Sequence, residues 1–201
     1  IYQASSLFVP IIDFNAFIYT VSEYQYTGNG YNLVITPFKI WEGGGQPIQV
    51  NLGNTKPIAP PSVNSDMMVV VCEGRLMIFD AHTLSANSIK TGNFKNVRPV
   101  IGDGNIVYTI LGDSIIAYAI SGSQYGSKIP IEGGAGDKLL IDNELGMLYA
   151  TNAKGHLYSY DIFTLEETLI SSLSITSGIM IDGNHNLYFA SDNIFYCIDS
   201  T

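Results

Sequence analysis

A unit of about 40 residues recurs along this chain of 201 residues. Each copy contains three apolar residues, an acidic turn, an apolar strand, a turn with Gly or Asp, a second apolar strand and a closing Asp. The copies occupy residues 9–24, 61–85, 98–123, 138–170 and 178–201. The turn aspartates of the last four copies are spaced 37, 39 and 40 residues apart: Asp66, Asp103, Asp142 and Asp182. Such a repeat is one supersecondary unit, which buries its apolar faces by stacking on its neighbours.

The apolar residues within each copy follow the period of a β-strand. Residues 146–161 contain two short apolar runs separated by a turn at 153–155, a pattern typical of a hairpin. No window carries the i, i+3, i+4, i+7 spacing of an amphipathic helix. Matched groups of four short strands are typical of propeller blades. We therefore predict an all-β chain: a β-propeller of about five four-stranded blades, forming a single domain over residues 1–201.

The two ends of the chain have complementary patterns. The last copy stops after its third strand, and residues 1–8 precede the first strand of the first copy. We expect residues 1–8 to pair with residues 193–198 as the fourth strand of the last blade, because closure removes exposed sheet edges. The alternative is that the chain is an excised part of a larger ring. Insertions at 26–30 and 41–48 account for the longer first copy.

The repeat also resembles a known family. The segments RPVIGDGNIVY and MLYATNAKGHLYSYDIFTL fit a pattern with a turn Asp, an apolar residue before Tyr, and a closing Asp followed by Thr. This pattern is similar to the quinoprotein alcohol dehydrogenase-like (PQQ-like) repeat superfamily, and the resemblance covers the second to fifth copies. It implies a β-propeller. It does not imply a function, because the pattern consists of turn and strand-packing residues, and we predict no cofactor.

Composition narrows the possible partners. The formal net charge is −9, only 13% of residues are charged, and 46% are hydrophobic. Such a charge repels nucleic-acid phosphates and anionic lipids, so we expect no nucleic-acid partner. The longest apolar run, Met67–Cys72, is too short for a spanning helix, so we expect no membrane insertion. Few charges together with abundant Tyr, Asn, Ser, Thr and Gly favour an extracellular, periplasmic, or virion or cell-surface location.

Recurring aspartates are the first candidate site. Four lie at the same turn of different copies: Asp13, Asp103, Asp142 and Asp182. A turn Asp accepts backbone N–H bonds from residues shortly after it, and we favour this structural role. The same role is predicted for the closing aspartates Asp80, Asp161 and Asp199. The alternative is a glycoside hydrolase, in which carboxylates from separate blades face one channel.

Metal and cysteine chemistry is weakly indicated. The segment Asp182-Gly-Asn-His-Asn186 resembles the start of a calcium loop, but Asn193 stands where the bidentate Glu would be, so we predict no metal site. The three histidines, His82, His156 and His185, have no second ligand at metal-binding spacing and are predicted to be ordinary turn or surface residues.

The cysteines, Cys72 and Cys197, lie in apolar runs and are expected to be buried thiols, with a disulfide as the alternative.

An aromatic cluster is the second candidate site. It lies in the insertion of the first copy, among polar residues and glycines, and comprises Tyr24, Tyr26, Tyr31 and Trp41. Exposed aromatic residues beside a loop are common in recognition surfaces, although local packing would use the same residue types. We predict a non-catalytic binding or assembly module that presents its loops to a protein or glycan partner. The alternative function is a five-bladed glycoside hydrolase that uses the turn aspartates.

Overall fold

A computed structural model describes the backbone of residues 11–12, 17–27, 30–39, 43–44, 48–81, 83 and 85–199, with side chains from residue 50 onward within these ranges. The chain divides into two compact units. The first comprises Ile1–Phe94 with Ile120–Gly122, and the second comprises Lys95–Ala119 with Ser123–Thr201. In the described part of the chain, no helix has the length and apolar character needed to cross a membrane.

The first sheet of the first unit is built around a long hairpin. Its strands are β1 (Ile11–Ile12), β2 (Phe17–Thr27), β3 (Gly30–Lys39), β4 (Gly43–Gly44) and β5 (Ile48–Asn51). Pairing is antiparallel in the order β1-β2-β3-β4, and β5 also pairs with β3. The hairpin strands β2 and β3 contain 11 and 10 residues, about twice the usual strand length. The insertion predicted in the first copy therefore lengthens this hairpin.

The second sheet of the first unit has four strands in chain order. They are β6 (Ser62–Val63), β7 (Met67–Cys72), β8 (Arg75–Asp80) and β9 (Ala86–Thr91). All six residues of β7 are buried, which explains why its sequence MMVVVC does not alternate with polar residues. Val50 and Leu52 pack with residues of β7 and β8 in one core cluster, so the two sheets of this unit share apolar contacts.

The second unit contains three sheets, each also built from consecutive antiparallel strands. The first has β10 (Val100–Gly102), β11 (Ile106–Leu111), β12 (Ser114–Tyr118) and β13 (Gln124–Pro130). The second has β14 (Ala135–Asp142), β15 (Met147–Asn152), β16 (Leu157–Asp161) and β17 (Glu167–Ser171). The third has β18 (Met180–Ile181), β19 (Leu187–Ser191) and β20 (Ile194–Ile198). One 3-10 turn, Asp103–Asn105, connects β10 to β11.

Apolar side chains join these three sheets in sequence. Ile110 and Ile115 of the first sheet cluster with Leu148 of the second. On the opposite side of the second sheet, Leu157 clusters with Phe189 of the third. Fully burying a side chain of this size stabilises a fold by roughly 1.5–3 kcal/mol. The central sheet therefore holds both neighbours, as expected for repeats that cannot bury their faces alone.

The all-β, antiparallel repeat architecture predicted from the sequence is confirmed. Three copies form four-stranded sheets, and the last copy forms three strands within the described residues. Its strand β20 is largely exposed, unlike its equivalents β8, β12 and β16, which are mostly buried. The predicted burial of both cysteines holds for Cys72 and is wrong for Cys197, which is exposed because it lies on β20. Both thiols are free.

Candidate functional site

The predicted tyrosine cluster lies on the distal half of the β2–β3 hairpin. Tyr26 is directly opposite Tyr31, and Tyr24 is directly opposite Leu33. Residues directly opposite one another in an antiparallel pair share a face of the sheet, and so do residues two apart on one strand. The backbone register therefore brings Tyr24, Tyr26 and Tyr31 onto one face. The fourth member of the cluster, Trp41, lies outside the described residues.

Further strands pair with both strands of the hairpin. Strand β5 pairs with β3 from Asn32 to Ile35, beside the tyrosines. Strand β1 pairs with β2 at Ile18 and Tyr19, near the other end of the hairpin. The described strand pairing therefore fixes the register of the segment that carries the three tyrosines.

The turn aspartate Asp142 belongs to the connection between β14 and β15. Its Oδ1 accepts backbone N–H bonds from Glu144 and Leu145 at 3.0 and 3.2 Å, which is the turn geometry predicted for it. Its Oδ2 lies 2.7 Å from Nδ1 of His185. The Asp142 side chain is only 5% exposed, so both carboxylate oxygens are engaged within the protein.

The equivalent aspartate of the next sheet, Asp182, is engaged even more fully. Its Oδ1 accepts N–H bonds from Asn184 and Asn186, and its Oδ2 accepts bonds from the Asn186 amide and the Tyr188 hydroxyl. The hydrogen bonds from Asn186, with weaker contributions from Tyr188 and Asn184, lower the pKa of Asp182 to about 2 against the opposing effect of burial. Its carboxylate in turn raises the pKa of Tyr188 to about 12.

Turns of consecutive repeats contact one another along one edge of the second unit. The backbone N–H of Asp103 donates to Oδ1 of Asn143 at 3.2 Å, and Asp142 contacts His185. His185 also has its Nε2 3.4 Å from Glu144, a carboxylate on the same turn as Asp142. The residues of each pair are 40 or 43 positions apart, which is one repeat. These contacts place three of the predicted aspartates on neighbouring turns, and Asp13 lies outside the described residues.

The contacts of His185 and Asn143 with these turns are not predictable from the sequence pattern used above. His185 is predicted to be an ordinary turn or surface residue, whereas the structure places its ring against two carboxylates, and its backbone is left-handed with φ +66°. The available signal was the one-repeat spacing between each residue and its partner. That signal is weak, because many residue pairs in a repeat protein share it.

The closing aspartates Asp80 and Asp161 have the predicted strand-end role. Asp80 Oδ1 accepts bonds from the backbone and hydroxyl of Thr83. Asp161 Oδ1 accepts N–H bonds from Phe163 and Thr164, and these bonds lower the pKa of Asp161. The recurring Asp-x-x-Thr sequence is therefore a turn motif in both sheets.

The turn that resembles a calcium loop is organised by hydrogen bonds within the protein. Among the residues with described side chains, no group of three His, Cys, Asp or Glu residues is arranged to hold an ion. The calcium-loop resemblance at Asp182 corresponds to a turn in which both oxygens accept bonds from protein donors. His156 donates its backbone N–H to Asn152 in another turn, and His82 lies outside the described residues.

No protein-family model matches the sequence, and no curated protein matches it. Solved structures match over nearly the whole chain. The extracellular domain of the one component system BT4673 from B. thetaiotaomicron aligns with a TM-score of 0.60 at 16% identity, over 98% of this chain and 32% of that one. The chain thus spans about a third of that domain's length.

Two smaller proteins align in the same way. The designed protein Ika8 gives a TM-score of 0.64 at 16% identity, covering 97% of this chain and 71% of that one. Kluyveromyces lactis Hsv2, a β-propeller, aligns with a TM-score of 0.61 at 10% identity, over 97% of this chain and 61% of that one. Identities this low carry information about fold alone. The chain is therefore similar in fold to these proteins.

Proposed function

We propose that this chain is a non-catalytic β-propeller module that binds a protein or glycan partner through the tyrosine face of its β2–β3 hairpin. The observation that carries the proposal is the register that puts Tyr24, Tyr26 and Tyr31 on one face. Tyrosine supplies a large contact area with few rotatable bonds, and its hydroxyl forms hydrogen bonds, so it is enriched in recognition surfaces.

The proposed propeller has about five blades, one for each sheet. Support comes from the consecutive strand order within four of the described sheets, the fold similarity to Hsv2, and the PQQ-like pattern of the repeats. The exposure of β20, with Ile194 and Phe195 56% and 64% exposed, supports a missing neighbour at that strand. We assign this place to residues 1–8, which lie outside the described residues, as the strand that completes the last blade. A part of a larger ring is the alternative arrangement.

The closure is tested by removing residues 1–8. If they complete the last blade, their deletion should accelerate alkylation of Cys197 on β20 and increase hydrogen exchange of the β20 amides. Exchange in β15, the central strand of another sheet, should change little and serves as the internal control. Unchanged alkylation and exchange at β20 would assign residues 1–8 another place.

The partner class follows from charge and residue type. A chain with net charge −9 and few cations is poorly suited to phosphate-rich partners, whereas tyrosines suit sugars and polypeptides equally. We propose an extracellular, periplasmic, or virion or cell-surface location. This location rests on composition and on the description of two structural neighbours as extracellular domains.

The second candidate, a glycoside hydrolase, requires a free acid and a free carboxylate facing each other. The carboxylates of Asp142 and Asp182 are instead occupied by donors within the protein. A pKa of about 2 also keeps Asp182 ionised, so it cannot serve as the general acid. Oligosaccharide turnover that disappears in Asp142→Asn, with the fold retained, would favour the hydrolase.

The binding function is tested with variants on the two faces of the hairpin. Tyr26→Ala and Tyr31→Ala remove residues of the tyrosine face, and Gln25→Ala alters the residue between Tyr24 and Tyr26 on the other face. The probes are a glycan array and a displayed peptide library. Ligands selected with the wild type should lose at least about tenfold in affinity with the tyrosine variants.

The Gln25→Ala variant should retain wild-type affinity for the same ligands. Equal losses on both faces would indicate a damaged hairpin and not a binding face. Absence of any selected ligand, or wild-type affinity in both tyrosine variants, would contradict the proposed function.

A further inference from the structure

A second surface, in the other unit, exposes apolar side chains at two turns of the β14–β17 sheet and on β13. We call it the turn patch. Its exposed members have fractional exposures of 46%, 81%, 41% and 55%: Leu145, Phe163, Leu165 and Tyr125. Single exposed apolar residues are normal, but a contiguous group of large ones marks an interaction site.

The members of the turn patch are connected. A Cβ built on Gly146 would lie 2.7 Å from Cε2 of Phe163, so the ring covers the glycine next to Leu145. On the other side of the same turn, Leu165 lines a small cavity together with Tyr108 and Tyr125. The patch therefore runs from the β14–β15 turn to a cavity beside β13.

The backbone holds Leu165 in an unfavourable conformation. Its φ is +63°, in the left-handed region that Gly and Asn adopt far more readily than Leu. The turn is fixed by two N–H bonds to Asp161 Oδ1 and by the Leu165 N–H, which donates to the Asp161 carbonyl at 2.9 Å. A leucine that is strained and 41% exposed is costly for the fold, and such costs concentrate at functional positions.

The cavity size limits what can bind. Its volume is about 40 Å³, whereas pockets for small molecules occupy roughly 300–1,000 Å³. It is lined mainly by apolar groups, including Ile115, Ile129 and Ile162. A cavity of this size accepts the end of one apolar side chain, which is how a polypeptide segment anchors in a hot spot.

The charges around the patch are mostly negative. Asp161 and Glu166 flank the exposed turn, and Glu144, with 82% of its side chain exposed, precedes Leu145. Asp103 lies close enough to Tyr108 to help raise the pKa of its phenol, after the larger effects of burial and Tyr125. Among the described residues that line the cavity or adjoin its lining in sequence, Lys128 is the one cation. A cationic partner is therefore complementary.

We propose that the turn patch binds an extended cationic peptide segment, with one apolar side chain in the cavity and flanking Lys or Arg residues beside the carboxylates. This surface shares no residue with the tyrosine face, and its partner class follows from its own cavity and charges. The proposal can thus fail or hold independently of the function proposed for the hairpin.

The decisive variant is Leu165→Asn in the full chain. Asn tolerates the left-handed backbone, so the substitution relieves strain while removing the apolar contact. Binding of a short peptide with a central leucine flanked by lysines is measured by calorimetry. We expect affinity to fall at least about tenfold while the melting temperature stays the same or rises. If Leu165 serves only the fold, the substitution should instead lower the melting temperature and leave the peptide affinity unchanged.

Two matched controls accompany this variant. Leu173→Asn changes a leucine that is 37% exposed and does not line the cavity, and it should bind like the wild type. Phe163→Ser removes the most exposed ring of the patch, and it should weaken binding even if Leu165→Asn were to fold poorly. Tyr26→Ala on the hairpin should leave this peptide affinity unchanged, which separates the two surfaces.

Variants of the peptide probe provide the remaining tests. Replacing the lysines of the probe with glutamates, or its leucine with glycine, should abolish binding, and high salt should weaken it. The proposal is overturned if the wild type does not bind the lysine-leucine peptide, or binds the glutamate version equally well. It is also overturned if the patch instead mediates self-association, seen in sedimentation as an oligomer that Leu165→Asn dissociates.

Discussion

His185 and Asp142 join two consecutive repeats through a contact of 2.7 Å between Nδ1 and Oδ2. The His185 side chain is 24% exposed and the Asp142 side chain 5% exposed, so water competes little for the carboxylate. Glu144, at 3.4 Å from the other ring nitrogen, is 82% exposed and contributes little by comparison. The pair therefore fastens the β14–β15 turn to the β18–β19 turn, between two sheets that also share an apolar core.

A double-mutant cycle measures the interaction energy between His185 and Asp142. His185→Asn keeps a residue type that tolerates positive φ, and Asp142→Asn keeps the side-chain shape. Each should lower the free energy of unfolding by about 1–3 kcal/mol, because a hydrogen bond to a buried charged group is lost. In urea denaturation, the double variant should lose less free energy of unfolding than the two single variants lose together. The difference, which is the coupling energy, should be about 1–2 kcal/mol. His185→Asn combined with Asp113→Asn should be additive, because Asp113 accepts a hydrogen bond from Ala135, at the opposite end of β14 from Asp142.

Acid should weaken the third sheet of the second unit through Asp182. Its pKa in the folded protein is about 2, below the value of about 3.9 for an unfolded chain. The folded state therefore binds the proton less readily than the unfolded state. Stability from Asp182 is complete above about pH 4 and is lost as the pH falls through about 2. Denaturation at several pH values should show a shallower acid-dependent loss in Asp182→Asn than in the wild type.

Two glycines should respond oppositely to the same substitution. A Cβ on Gly136 would lie 2.5 Å from both the Asn152 carbonyl oxygen and Thr151 Oγ1, whereas a Cβ on Gly178 would meet nothing within 4 Å. Gly136→Ala should destabilise the protein by about 1–3 kcal/mol, because the backbone must move. Gly178→Ala should be neutral or stabilising by up to about 1 kcal/mol, since it restricts the unfolded chain. Equal effects in thermal denaturation would contradict this packing.

The two cysteines should differ in reactivity. Burial raises the pKa of Cys72 to about 12, so little reactive thiolate forms at neutral pH, and the side chain is inaccessible. Cys197 is exposed on β20. Iodoacetamide at about pH 8 should modify Cys197 alone in the native protein and both thiols after unfolding, as followed by intact mass. Native modification of Cys72 would show that its strand opens locally.

Much of the fold was predictable because its signals are local. The run from Met67 to Cys72 is apolar throughout, and it forms a fully buried strand. Asp142 and Asp182 sit where short-range hydrogen bonds to the following backbone favour a turn, and both form one. The pairing of Tyr26 with Tyr31 also follows from a short hairpin connection. None of these features depends on which sheets pack together.

The missed features depend on packing between repeats. Cys197 lies in an apolar run like that of Cys72, yet its strand is exposed. Phe163 and Leu165 also have the composition of core residues, although both are exposed at a turn. Apolar residue type predicts the preference for burial, but the tertiary packing around each position determines whether burial occurs.

Strand periodicity, turn aspartates and the 40-residue recurrence determined, by themselves, an antiparallel chain built from repeated sheets, since each signal acts between residues close in sequence. The tertiary structure alone determined that His185 contacts Asp142, that Asn143 contacts Asp103, and that the turn patch is exposed. Contacts a full repeat apart depend on how neighbouring sheets stack, and stacking is set by summed side-chain packing that no single repeat contains.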